Sequence, residues 1–173
     1  MESHNIIFDF DFSKVEVDKN EQKHIPSKRN WTRLFWGSFG FKISGADFGA
    51  ITCLLETTNA LMRAVDHLVF LGDHNYAYSY LESAFWLRFE VNDQRLTVTG
   101  AEHFSFADES IVAAADCELF EFATAVGRFH KVALEEAVAR YPGLLITPSF
   151  INNCRLAAEL FGRLPTDSNG KTL

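Results

Sequence analysis

Several acidic side chains of this sequence are spaced so that they could do chemistry together. Asp9 and Asp11 alternate with Phe8, Phe10 and Phe12. In an extended strand the two carboxylates would share one face, about 6.5–7 Å apart, a separation at which a carboxylate pair can act in acid–base catalysis. Because the phenylalanines fall on the opposite face, the pattern is more typical of solvated carboxylates on the outside of a sheet.

The densest set of possible metal ligands comprises Asp66, His67, Asp73 and His74. A helical zinc site needs two histidines four residues apart and a third ligand. His67 and His74 instead lie on either side of a predicted helix end, where the helix dipole also favours histidine. We predict no metal site and no cofactor.

The sequence Glu102-His103 could belong to a hydrolase if a serine nucleophile were nearby. The chain has no GxSxG motif, and its GSFG segment, residues 37–40, lacks the strand–elbow–helix pattern. We read GSFG as a bent strand. Gly37, Gly40 and Gly45 are not followed by the Lys-Ser/Thr ending of a phosphate loop. We therefore predict no catalytic residue.

Tyr76, Tyr78 and Tyr80 lie two residues apart, so that they share one face of a predicted strand, and Asp73 and Glu82 flank them. Tyrosine tolerates both burial and water and is enriched in protein interfaces. We predict that these five residues bind a cationic protein surface. The alternative is that helices cover the tyrosine face, or that the rings only stabilise the strand.

The composition is that of an ordinary folded protein with an unusual number of phenylalanines. The chain has 173 residues, of which 47% are hydrophobic, 23% are charged and 17 are Phe. We expect most of these phenyl rings to form the core. No linker or repeat divides the sequence, so we predict one α+β domain over residues 1–164 and a flexible tail over 165–173.

The net charge of −7 and the absence of a basic run argue against nucleic-acid binding. Cys53, Cys117 and Cys154 are far apart and form no CxxC pair, which indicates free thiols in a reducing compartment. The N-terminal MESHNIIFDF has no basic region followed by an apolar run, and charged residues interrupt the longest apolar windows. We expect a cytoplasmic protein without a membrane segment.

Strand and helix periodicities alternate along the chain. Period-two patterns predict strands at residues 6–17, 34–44, 76–81 and 110–115, and a hairpin over 85–99 that turns at Asn92-Asp93. Helical patterns predict a helix from an Asp47 cap to Gly72, a second from an Asp116 cap to Tyr141, and a third over 149–164. The fold class is therefore α+β, an antiparallel sheet of about five or six strands with two long helices and one shorter helix packed on one face.

The layout resembles that of small bacterial immunity proteins, which neutralise toxins by direct binding. The resemblance is carried by the helix ADFGAITCLLETTNALMRAVDHLV, the hairpin WLRFEVNDQRLTVTG and the helix that ends in RYPGL, and it covers about residues 33–164. It implies a non-enzymatic protein whose partner is a toxin, for which the net charge favours a basic domain. Such families share no catalytic residues, so no residue role is carried over.

Two other interpretations stay open at this point. The chain could be a small enzyme or ligand-binding domain with a pocket between sheet and helices, built from Asp9, Asp11, His74, Glu102 and His103. It could also be a subunit of a homo-oligomer, such as a homodimer, that pairs through an exposed strand edge or through the tyrosine face.

Overall fold

A computed structural model describes residues 5–11, 16–17, 29–80, 84–105 and 108–164 of the chain. The fold is α+β, as predicted, but the strands form two antiparallel sheets instead of one. Alternation identifies a strand and its buried face, whereas the choice of a neighbouring strand depends on contacts distant in sequence. Here the helix Leu54–Val65 lies between the last strand of the first sheet and the first strand of the second, and these two strands do not pair with each other.

The first sheet is built around one long central strand with which the other four pair. Its strands are β1 (Ile6–Phe10), β2 (Glu16–Val17), β3 (Phe35–Ile43), β4 (Ala46–Asp47) and β5 (Ala50–Cys53). Phe39 of β3 pairs with Phe10 on one edge and with Ala50 on the other. The predicted strand over 6–17 corresponds to β1 and β2, and Phe12 lies outside the described residues.

The second sheet is a four-stranded meander in chain order. Its strands are β6 (Asn75–Ser79), β7 (Phe85–Asn92), β8 (Arg95–Ser105) and β9 (Asp108–Glu118). The predicted hairpin is confirmed, since Asn92 pairs with Arg95 and Asp93 adopts a left-handed φ of 56° in the turn. The strand predicted at residues 110–115 is longer than expected because it pairs with nearly the whole of β8.

The first helix, α1 (Leu54–Val65), begins later than predicted and continues as a π-helical segment, Asp66–Leu71. Asp47 does not cap it, because this residue lies in β4 and its Oδ1 accepts the Gly49 N–H at 2.9 Å. That bond favours a turn, after which β5 pairs with β3 before the helix starts. The predicted end is confirmed, since Gly72 has a left-handed φ of 76°.

The other two helices are α2 (Leu119–Arg140) and α3 (Pro148–Phe161), and short 3-10 helices cover Arg29–Arg33 and Pro142–Ile146. Asp116 does not cap α2 as predicted; it lies in β9, where its Oδ1 accepts the Thr97 hydroxyl at 2.6 Å. The sequence pattern of α3 predicts that Cys154 and Ala158 face inward, but Cys154 is half-buried and Ala158 is exposed. None of the helices in the described ranges is long and apolar enough to cross a membrane.

The core confirms the predicted role of phenylalanine. The Phe8 ring stacks on Phe41 at 4.6 Å between centroids and on Phe129 of α2 at 5.2 Å. α1 contacts β3 and β6, and α2 contacts β1 and β8, so the helices cover the inner side of both sheets. The inward alternation of β1 and β3 leaves the other face of the first sheet, with its polar residues, open.

Candidate functional site

The outer face of the first sheet carries a groove of about 740 Å³. Phe8 and Phe10 of β1 face the core, which turns the side chain of Asp9 outward. β3 alternates in the same way, so that Lys42 is exposed between buried Phe41 and Ile43. Four carboxylates line the groove: Asp9, Asp11, Asp47 and Glu102.

The groove is deep because two of the residues at its floor are glycines, which have no side chain to fill it. Asp9 pairs with Gly40, which offers no side chain to fill the space beside the carboxylate. Gly49 packs on the same strand so closely that a Cβ there would lie 2.7 Å from the Phe39 carbonyl oxygen and 3.4 Å from the Gly40 Cα. Glycine is the residue that allows such an approach of two backbones.

One wall of the groove comes from the second sheet. Glu102 lies in β8, and Val112 lies in β9 at an irregularity of the ladder. Ala101 pairs with Ile111 and Gly100 with Ala113, so Val112 has no residue opposite it. A bulge of this kind redirects a side chain, and Val112 lines the groove with 55% of its surface exposed.

Among the described residues that line the groove, four carboxylates lie with one ammonium group, that of Lys42, so this part of the groove is negative. Lys42 Nζ lies 3.5 Å from Asp47 Oδ2, and both side chains are at least half exposed. An exposed pair of this kind contributes about 0–1 kcal/mol and is screened by salt. The described residues hold no group of three or more His, Cys, Asp or Glu side chains close enough to bind a metal ion. The groove is therefore suited to contacts with cationic groups.

Apolar side chains border the carboxylates. Ile7 is 44% exposed and Ile51 is 73% exposed, and both line the groove together with Val112. Single exposed aliphatic residues are common on protein surfaces. Three of them around one acidic depression form a surface with both an apolar and a charged component, the mixture found where one protein binds another.

The tyrosine row faces inward. Tyr76 pairs with Phe89 and Tyr78 with Leu87, and both partners are fully buried. Tyr80 is 1% exposed and its hydroxyl donates to the Phe48 carbonyl oxygen at 2.9 Å. Burial raises the pKa of Tyr80 well above its usual range. Tyr80 is thus a core residue and offers no surface to a partner.

The rest of the predicted tyrosine site is more open. The Tyr78 hydroxyl lies 3.2 Å from Thr57 Oγ1 of α1, and burial raises the pKa of this half-buried tyrosine. Asp73 is exposed, with Oδ2 2.7 Å from His67 Nδ1. Tyr76 is half-buried, and Glu82 lies outside the described residues. Partner binding by Tyr76, Tyr78 and Asp73 stays a prediction.

Of the residues considered for a ligand or catalytic site, the structure brings together Asp9, Asp11 and Glu102 in the groove. His74 is exposed just before β6 and is not among the described residues that line the groove, and the side chain of His103 lies outside the described part. Asp47 and Val112 were missed as groove residues. Asp47 matched a helix cap equally well, and no local pattern marks the bulge at Val112.

Cys53, Cys117 and Cys154 form no disulfide bond, as expected; Cys53 and Cys117 are buried and Cys154 is half-buried. Burial raises the pKa of Cys117 to about 12, which leaves little thiolate for nucleophilic chemistry. Comparisons of the chain with protein-family models, with curated proteins and with solved structures found no match. The functional interpretation of the groove therefore depends on its own residues.

Proposed function

We propose that this chain is a non-enzymatic protein-binding protein whose groove on the first sheet receives basic side chains of a protein partner. The observation that carries the proposal is the combination of Asp9, Asp47 and Glu102 with exposed aliphatic side chains around a glycine floor. Carboxylates would pair with lysine or arginine of the partner, and the aliphatic border would exclude water from those pairs. Water exclusion around a central polar contact is what strengthens it.

The net charge of −7 supports a basic partner. An acidic surface attracts a basic protein over several ångströms, raises the association rate and disfavours acidic competitors. The resemblance of about residues 33–164 to immunity proteins supports a bacterial toxin as that partner, with the chain acting in the cytoplasm. In this role the groove would cover the basic substrate-binding surface of the toxin, and no catalytic residue of the chain would be needed.

The proposal is tested by purifying the protein at its native level from its own cells and quantifying the associated proteins by mass spectrometry. We expect one basic protein at near one-to-one stoichiometry. Asp9→Lys should weaken its binding by tenfold or more, about 1.4 kcal/mol, and binding should weaken further as salt is raised. Glu90→Lys is the matched control, since Glu90 is also an exposed strand carboxylate but does not line the groove.

A third variant distinguishes binding by the groove from binding by the tyrosine strand, β6, which carries Tyr76 and Tyr78. Asp73→Lys places the same charge reversal beside Tyr76, on an exposed residue outside the groove. Loss of the partner with Asp73→Lys and retention with Asp9→Lys would contradict the groove proposal and favour the tyrosine strand. A solution mass of two or more copies without another protein would instead favour the homo-oligomer.

A further inference from the structure

A second cavity, of about 380 Å³, lies between α2 and α3 and shares no lining residue with the groove. α2 contributes Gly127, His130 and Leu134, and α3 contributes Ala157 and Phe161. Gly127 has no side chain and Ala157 has only a methyl group, which leaves space between the two helices. A volume of this size is at the lower end of the range for small-molecule sites in proteins.

His130 is the chemically distinctive residue of this helix cleft. It is 1% exposed, its ring lies 5.7 Å from that of Phe161, and its Nε2 is buried without a hydrogen-bond partner. Desolvation lowers the pKa of His130 to about 4, so the imidazole is neutral at pH 7. A buried polar atom without a partner is costly, and the side chain that carries this one lines the cavity.

The mouth of the helix cleft is polar, in contrast to its interior. Lys131 and Glu135 are exposed and line the cavity one turn apart on α2. The inner wall consists of Leu134, Ala157 and Phe161 with the His130 ring. A ligand that fits this arrangement has an apolar body, and it carries one neutral polar group that can reach the imidazole.

We propose that the helix cleft binds a small apolar molecule that carries a hydroxyl group, with the hydroxyl paired to His130 Nε2. A hydroxyl can donate or accept, so it satisfies Nε2 in either tautomer of the neutral ring. A carboxylate would need a protonated imidazole or a buried cation, and Lys131 lies at the exposed mouth instead. The site is independent of the partner-binding groove, because neither cavity uses residues of the other.

Phenol and toluene are the probes, because they have nearly the same shape and differ in the hydroxyl. Both are titrated into the full-length protein while the ring nitrogens of His130 and the backbone amides of the helix cleft are followed by NMR. We expect phenol to bind about five- to tenfold more tightly than toluene, the contribution of one hydrogen bond. Phenol, but not toluene, should shift the Nε2 resonance.

Four variants make the test specific. His130→Phe should bind phenol and toluene equally, and His130→Leu, which also lacks a hydrogen-bonding group, serves if that variant does not fold. Ala158→Phe should block both probes, because Ala158 is exposed and lines the helix cleft. Leu156→Phe is the control, an exposed α3 residue that does not line it. Equal binding of both probes to the native chain, or no response of the helix-cleft residues at millimolar phenol, would overturn the proposal.

Discussion

The groove and the helix cleft treat their polar groups in opposite ways. In the groove Asp9 and Asp47 are exposed and keep their water, whereas in the cleft His130 is buried as a neutral ring with an unpartnered nitrogen. Hydrated carboxylates have little effect on the free energy of unfolding and can bind a cationic partner. A desolvated imidazole lowers the free energy of unfolding. A ligand that supplies the missing hydrogen bond would restore part of that free energy.

The difference determines which experiment is informative for each region. Substitutions of the exposed groove carboxylates should change binding with little change in stability, because these side chains contact mainly solvent. Substitutions at His130 should change stability even when no ligand is present. The two regions can therefore be tested separately, and four predictions follow from their contrast, in order of decreasing effect.

The largest effect is expected from pH acting on His130. Its pKa is about 4 in the folded chain and 6.5 in the unfolded chain, so the unfolded chain binds the proton more readily between these values. The stability is fully present above pH 6.5 and is lost as the pH falls through 4, by about 3 kcal/mol in total and about 2 kcal/mol between pH 7 and 5. Urea unfolding at pH 7, 6 and 5 measures it.

His130→Phe provides the comparison for this experiment, since phenylalanine keeps a ring but does not titrate. The loss between pH 7 and 5 should shrink by about 2 kcal/mol in the variant. Equal pH dependence of the two proteins would mean that His130 is already protonated or hydrated in the folded chain, and the contrast between the two regions would disappear.

The second prediction concerns a buried polar group that does have a partner. Tyr80→Phe removes the hydroxyl that donates to Phe48 and leaves the buried carbonyl oxygen unsatisfied, which should lower the free energy of unfolding by about 2 kcal/mol. Tyr78→Phe is the control, because Tyr78 is only half-buried and should cost about 1 kcal/mol or less. Thermal unfolding would contradict the assignment of Tyr80 to the core if the two variants were equally stable.

The third prediction uses the two glycines of the groove floor. Gly49→Ala should destabilise the chain by about 1–2 kcal/mol, because the new Cβ would meet the Phe39 carbonyl oxygen at 2.7 Å. Gly40→Ala should be neutral or slightly stabilising, since its Cβ would lie 3.5 Å from the Asp9 Cβ, an ordinary contact, and alanine suits a strand better than glycine. Chemical unfolding of both variants measures the difference, and equal losses would show that the floor is not close-packed at Gly49.

The sequence predicted the parts of this fold that depend on local alternation. The contrast in polarity between Phe8 and Asp9 is strong, so the inner and outer faces of β1 were predicted correctly. In β6 the tyrosines alternate with Ala77 and Ser79, and neither face is clearly apolar. The inward direction of this strand is set by its register with Leu87 and Phe89, which the sequence of β6 alone does not contain.

The groove itself could be predicted only in part. Asp9 and Asp11 were recognised as an outward pair, but Glu102 reaches them from another sheet, and the number of sheets was predicted wrongly. Asp47 was assigned to a helix cap because an aspartate before a helical pattern fits a cap as well as it fits a turn. His130 lies within a helical apolar stripe, where a buried histidine has no sequence signature. Such sites depend on packing between elements that no short pattern records.

The smallest effect is expected from removing charge in the groove. Asp9→Asn together with Glu102→Gln keeps the shapes of both side chains and should change stability by about 0.5 kcal/mol or less, a shift in melting temperature of about 2 °C or less. The same variant should lose most of its affinity for a basic partner, because two of the four groove carboxylates become neutral. Unchanged melting with unchanged partner binding would show that the groove carries charge without function. A large loss of stability would show instead that Asp9 and Glu102 support the fold. The groove carboxylates would then affect stability as His130 does, and the contrast between the two regions would not hold.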